Sequence, residues 1–179
     1  HAAAFGPTIE AGRNKYLWLG TPRLFHGLTL TFRESGSELY AAHSYKFSRT
    51  TSTFIVECVD DTFERAGFER MAEPEMLAKL ERVFAEDLQG RPLLTNNFVR
   101  WLNFTLVKNR RWSHGNVVLL GDALHTAHFS IGSGTKLAIE DSIALARAFA
   151  AERSVPAALG AFERDRKPVA GAVSLVQRD

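Results

Sequence analysis

Val117-Val118-Leu119-Leu120-Gly121-Asp122-Ala123-Leu124-His125-Thr126-Ala127-His128-Phe129-Ser130-Ile131-Gly132-Ser133-Gly134-Thr135-Lys136 runs from an unbroken apolar run, through Gly-Asp and a glycine-rich loop, into a long apolar segment. Apolar residues in succession, without alternation, predict a strand over 117–120 buried on both faces. Residues 133–151 set Leu137, Ala138, Ile139, Ile143, Ala144, Leu145, Ala146, Ala148 and Phe149 nearly all round a helix. Only Glu140, Asp141, Ser142 and Arg147 interrupt it, which predicts burial within a larger protein.

Four chemistries compete for this stretch. A phosphate loop needs Gly-Lys in succession, followed by Ser or Thr; here Thr135 separates Gly134 from Lys136 and Leu137 follows. A dinucleotide-binding turn needs a third glycine where Leu137 stands and a strand directly before it, so Gly132-x-Gly134 is a weak match. His125 and His128, three apart near Asp122, could ligate zinc, but no third ligand stands at a suitable spacing, and no metal is expected. The fourth reading uses both ends of the stretch. Asp122, at the end of a buried strand, accepts hydrogen bonds from the hydroxyls of a polyol chain. Gly121, Gly132 and Gly134 admit close approach of backbone to a planar ligand. The first free amides of the helix, at Thr135 and Lys136, face partial negative charge. A polyol joined to an electron-poor ring that becomes anionic on reduction satisfies both ends; that describes a flavin. The plain alternative, a Gly-Asp turn followed by an ordinary helix start, accounts for less of the pattern.

Upstream the texture changes. Segments 15–19, 28–32, 39–47 and 53–59 are rich in Thr, Phe, Tyr and Val and bounded by Gly, Pro, Ser or Asp, as strands of an antiparallel meander are. Ser35-Gly36-Ser37 reads as a hairpin turn, and in the third strand Ala41, His43, Tyr45 and Phe47 share a face. Pro74 opens a helix whose Met76, Leu77, Leu80, Val83, Phe84 and Leu88 form one stripe, and Gly90 stops it. Residues 97–107 read as a further strand. A last helix starts near Pro156 and should end or kink at Pro168. The fold class predicted is α+β, with residues 1–110 as a sheet domain carrying one packing helix and residues 111–179 as a second domain.

The 179 residues are 45% hydrophobic and 23% charged, which excludes a disordered chain. With 22 basic and 20 acidic residues the net charge is +2, too small to point to nucleic acid or a membrane surface as a partner. The single cysteine, Cys58, cannot form an internal disulfide and lies in an apolar run where a buried, inert thiol is expected. No apolar run is long enough for a membrane span and the first residues do not form a signal peptide, so a cytoplasmic protein is expected.

Trp112-x-x-Gly115-Asn116-Val117-Val118-Leu119-Leu120-Gly121-Asp122-Ala123-Leu124-His125, then Gly132-x-Gly134 and Ala138-Ile139-Glu140-Asp141, resembles the second flavin motif of single-component FAD-dependent aromatic hydroxylases of the p-hydroxybenzoate hydroxylase type. Ala158-Leu159-x-x-Phe162-Glu163-x-x-Arg166-Lys167-Pro168 resembles the helix that follows it in that family. The wording of 128–137, with Gly12-Arg13-Asn14-Lys15-Tyr16-Leu17-Trp18-Leu19-Gly20, is most similar to the branch acting on aromatic acyl-CoA thioesters, the salicylyl-CoA 5-hydroxylase and anthraniloyl-CoA monooxygenase type. The resemblance implies an antiparallel substrate-domain sheet joined to the C-terminal strand and helices of an FAD-binding domain. It implies a monooxygenase that uses FAD, NAD(P)H and O2 on an aromatic or aromatic acyl-CoA substrate. Asp122 matches the residue that binds the ribityl hydroxyls, and Gly134, Thr135 and Lys136 match the helix start facing the pyrimidine edge of the ring. His43 and Tyr45 are candidates for the substrate face, Arg13 and Lys15 for CoA phosphates; no catalytic base is assignable. His128 and Phe129 replace the paired prolines of the wider family. The family's N-terminal GxGxxG unit and Asp-Gly motif do not occur in these residues. The chain is therefore expected to be the internal and C-terminal part of such an oxygenase, holding FAD weakly or not at all without the missing N-terminal segment. The rival readings are a non-catalytic α+β interaction module and, among enzymes, a flavin halogenase or epoxidase.

Overall fold

The computed structural model describes residues 2–96 and 99–176. Strands β1 (Pro7–Thr21), β2 (Thr29–Ser35), β3 (Glu38–Lys46), β4 (Ser52–Val59) and β5 (Leu102–Asn109) form one sheet in the order β2-β3-β4-β1-β5. The β2–β3, β3–β4 and β4–β1 pairs are antiparallel, as a meander requires. Gly36, at φ 63°, turns the chain between Ser35 and Glu38 in a two-residue hairpin. The strand expected from residue 97 starts at Leu102; Asn97 and Phe98 lie outside the described residues.

Period-two alternation fixes which side of the sheet faces the helices. Leu17, Leu19, Tyr40, Ala42, Phe54, Val56 and Cys58 are buried on one face. The helical stripe packs there, but in two pieces. Helix α3 (Glu73–Val83) begins with Pro74 in its first turn and ends before Phe84, and a short α4 (Ala85–Leu88) carries the stripe on. Met76, Leu80, Phe84 and Leu88 are all buried, with Phe84 edge-on to Phe54 at 5.2 Å. Gln89 and Gly90 then both take left-handed backbone, so the expected glycine stop is a two-residue reversal. A helix that the sequence pattern did not reveal, α2 (Asp60–Ala66), follows β4 without a loop; Asp60 and Asp61 favour its start and Gly67, at φ 74°, closes it. Cys58 is buried and free, and burial, with the charges of Glu57 and Asp60, pushes its thiol up to about 12.

The chain divides into two compact units: Gly12–Phe104, and the first eleven residues together with those from Thr105 onward. In the second unit α1 (Ala2–Phe5) leads to Gly6, whose carbonyl accepts from Arg110 N at 3.2 Å. Helices α5 (Gly134–Ala151) and α6 (Val155–Val176) pack together over Trp112, Leu124, Ala148, Ala158 and Phe162. One expectation is corrected here. Residues 117–120 are not a strand buried on both faces: only β7 (Val117–Val118) is strand, it pairs with β6 (Ser113–His114) alone, and Val117 is exposed. Burial on both faces needs strands on both edges and a layer on each side; here Val118, Leu119 and Leu120 pack one-sidedly against the Trp112–Phe162 cluster. Of the end or kink expected at Pro168, the end does not occur: α6 continues to Val176 with Pro168 inside it, and Lys167 pairs with Glu163 at 2.6 Å on the preceding turn. Among the described residues no helix is long and apolar enough to cross a membrane.

Candidate ligand site at the Gly121–Asp122 turn

After β7 the chain makes a 3-10 turn, Gly121–Ala123, with Gly121 at φ 56°. A β-carbon at Gly121 would stand 3.3 Å from the Ala138 side chain, so the backbone sign calls for glycine and the approach of the turn to α5 leaves little room for more. The turn is tied from the other side by Asn109, whose Nδ2 donates to the carbonyls of Ala123 at 3.0 Å and Leu124 at 2.7 Å. Thr126 adds a second tie to β5: Val107 N donates to its Oγ1, and its own hydroxyl donates to Thr105 O, each at 2.8 Å. Asp122 is exposed at the top of this braced turn.

Helix α5 starts beside it. The first intrahelical bond is Leu137 N to Ser133 O at 2.9 Å, so the amides of Gly134, Thr135 and Lys136 precede the helical ladder. Among the described residues no side chain caps them, and no acidic residue lies in the first turn to neutralise the positive end of the dipole. The Ser133 hydroxyl is buried without a partner among the described residues. Gly132, at φ 62°, closes a 3-10 turn, Phe129–Ile131, which His128 Nδ1 caps by accepting from Ser130 N at 3.3 Å. The Lys136 side chain is engaged with Glu140, whose carboxyl its hydrogen bond holds below the usual range; what Lys136 offers a ligand is its amide.

His125 does not stand ready as a zinc ligand. Its Nε2 donates to Asp141 Oδ2 at 2.8 Å, and Arg166 Nε donates to Asp141 Oδ1 at 2.9 Å. Asp141 is fully buried, so two donors share a carboxylate with no access to water. This trio locks the segment after Asp122 to α5 and α6. The sequence signal for it is an acidic residue amid an apolar helix. Among the described residues no three His, Cys, Asp or Glu side chains gather as a metal would require.

The four substrate-side candidates lie in the sheet unit, on two faces. His43 and Tyr45 share the face turned away from the helices; His43 is buried and Tyr45 half-buried. Lys15 has the parity of Leu17 and lies on the helix side, where its Nζ donates to Asn103 Oδ1 at 2.6 Å and sits over the Phe63 ring. Arg13, two residues earlier, is exposed.

A family model described as FAD binding domain matches residues 26–177. Salicyloyl-CoA 5-hydroxylase from Streptomyces sp is 44% identical over 173 residues, 92% of this chain and 33% of that protein. Protodeoxyviolaceinate monooxygenase from Chromobacterium violaceum is 42% identical over 166 residues, 93% of this chain and 44% of that protein. The chain thus spans less than half the length of these curated relatives. Among solved structures, the tetrameric form of 2-methyl-3-hydroxypyridine-5-carboxylic acid oxygenase superposes with a TM-score of 0.73 at 17% identity, covering 98% of this chain and 48% of that one, a likeness of fold.

Proposed function

The chain belongs to the FAD-binding domain family, and from that premise we propose that it supplies the Asp122 turn, the α5 start and the substrate-side sheet of a cytoplasmic flavin-dependent aromatic monooxygenase. Its substrate is an aromatic compound, aromatic acyl-CoA thioesters included, with NAD(P)H as reductant. The residues fit the group. The observation that carries the reading is the exposed Asp122 carboxylate on a turn braced by Asn109 and held against α5, where amides and a buried Ser133 hydroxyl, without side-chain partners among the described residues, lie at the helix opening.

FAD, when bound, supplies the redox chemistry by which one oxygen atom of O2 enters the aromatic ring. Every other task falls to the chain. Asp122 accepts from the ribityl hydroxyls, each such bond charge-assisted. The amides of Gly134, Thr135 and Lys136, at the positive end of an uncapped dipole, favour negative charge on the ring edge they face. Gly121, Gly132 and Gly134 keep side chains out of the way of the ring. The residues up to 110 serve the substrate and those from 111 the flavin; His43 and Tyr45 are the substrate-facing pair. Arg13, exposed, is the cation left to pair with CoA phosphates, because Lys15 is held by Asn103.

The test is Asp122→Ala in the gene product that contains this chain, with FAD content after gel filtration and turnover on aromatic acyl-CoA as readouts. Flavin affinity falls about tenfold or more, the scale of one lost charge-assisted bond, and turnover falls with it. Unchanged flavin content and turnover would instead return the chain to a non-catalytic interaction module.

A further inference from the structure

Beside the Asp122 turn a chain of polar contacts runs further than the buried trio itself. His125 stands at the end of that turn: its backbone N donates to Gly121 O at 3.0 Å, so its side chain moves with the turn. The ring is 8% exposed and packs against Trp112, with centroids 5.7 Å apart. From there Nε2 donates to Asp141 Oδ2 at 2.8 Å. Asp141 lies on α5 about two turns beyond Gly134, so this bond joins the Asp122 turn to the helix whose opening amides form the other arm of the proposed flavin site. Arg166 secures the far side. Its Nε donates to Asp141 Oδ1 at 2.9 Å, and its Nη2 donates to Glu140 Oε2 at 3.1 Å. Glu140 in turn holds Lys136 of the first turn of α5. Asn109 and Thr126 tie the turn to β5 instead. Gly121 approaches the Ala138 methyl group, a contact that limits distance but has no direction. Among the described residues, His125 to Asp141 is the one side-chain hydrogen bond from residues 121–126 to α5. A buried, paired carboxylate adds little net stability over an apolar replacement of the same volume; what its bonds supply is direction. A ligand gripped at two ends needs those ends in register to within about 0.5 Å.

We propose that His125 is a positioning residue for FAD: its bond to Asp141 sets the Asp122 carboxylate in register with the α5 opening, so that one flavin engages both. The proposal rests on the oxygenase reading for its ligand, and it deepens that reading by naming what holds the two arms of the site together. Asp122 and the amides of Gly134, Thr135 and Lys136 make the contacts. His125 acts through Asp122, and Arg166 acts through Asp141.

The test uses the gene product that contains this chain, freed of bound flavin and titrated with FAD by quenching of flavin fluorescence, with folding checked by circular dichroism. His125→Phe keeps a ring against Trp112 but removes the donor; His125→Gln returns an N–H at about the reach of Nε2. His125→Phe weakens FAD about tenfold, the scale of one charge-assisted bond, and His125→Gln stays within about threefold of the unmodified protein. The cycle with Asp122→Ala separates positioning from stability. Because His125 works by aiming Asp122, His125→Phe costs less than about twofold once that carboxylate is gone. A change that merely loosens the fold costs the same in both backgrounds. Arg166→Gln leaves the His125–Asp141 pair in place and serves if His125→Phe fails to fold; it weakens FAD about threefold, and that loss too vanishes beside Asp122→Ala. Equal losses in His125→Phe and His125→Gln, a loss in His125→Phe or Arg166→Gln that persists undiminished without Asp122, or unaltered affinity in His125→Phe overturns the proposal. Asp122→Ala without effect on FAD removes the oxygenase reading and this inference together. Asp122→Ala that weakens FAD beside a silent His125→Phe removes this inference alone.

Discussion

The sheet unit and the unit that carries α5 and α6 each hold a polar trio, but in different places. In the sheet unit the helix-covered interior is apolar, a continuous packing of Leu17, Val56, Phe54, Leu80 and Phe84, and the polar trio Asn14, His43 and Glu57 lies on the opposite face, with His43 and Glu57 buried. In the helical unit the polar trio is inside: His125, Asp141 and Arg166 meet at a fully buried carboxylate, while Ile139 and Phe149 of α5 are 56% and 45% exposed. The difference teaches where each unit's order comes from. A sheet packed under apolar helices can be held by transfer of apolar area from water. A pair of helices with so much apolar surface turned outward relies on a directional network, since a buried carboxylate forces its donors into place or costs heavily.

That contrast is open to direct attack. Asp141→Ala leaves Arg166 and His125 without their shared acceptor, and the expected loss is about 3–5 kcal/mol in the helical unit. Urea unfolding followed at the Trp112 indole reads it, and a Trp101 transition shifted equally would break the separation of the two units. Leu80→Ala opens a cavity under the sheet and costs about 2–5 kcal/mol in the transition seen at Trp101. Glu38→Gln sharpens the contrast by pH. Burial raises the Glu38 carboxyl, but hydrogen bonds from Tyr40 and Lys79 outweigh it and hold the group below its usual value. A lowered folded value means stability present above the unfolded carboxylate range and lost as pH falls through the folded one. The variant is therefore less stable than the parent near neutrality, by about 1–2 kcal/mol, and the gap closes in acid; a gap constant from pH 7 to pH 3 contradicts the assignment. Smallest of all, Lys167→Ala removes an exposed helical pair with Glu163 and shifts the Trp112 transition by less than about 0.5 kcal/mol.

Legibility followed the same division. The four N-terminal strands, their hairpin at Gly36 and the Met76–Leu80–Phe84–Leu88 stripe could be read because period two and period 3.6 are imposed locally by which side faces the core. Helix α2 was hidden because β4 passes into it without a turn residue, and the break at Phe84 because the stripe crosses it unbroken. At the candidate site, Gly121, Asp122 and the α5 start were visible as a motif. Asn109, Thr126 and Arg166 were not, since each reaches the turn or its anchor from a distant stretch of chain.

By itself the amino-acid order determined the element types, the glycines that left-handed turns demand and the succession of strand end, Asp122 and helix start, because backbone sterics and side-chain periodicity act between near neighbours. Only the tertiary structure decided that His125 is spoken for by Asp141, that Lys15 and His43 face opposite sides of one sheet, and that Glu57 joins Asn14 and His43. Those outcomes depend on strand register and helix packing, which bring together residues as far apart as Asn14 and Glu57 and which no local pattern encodes.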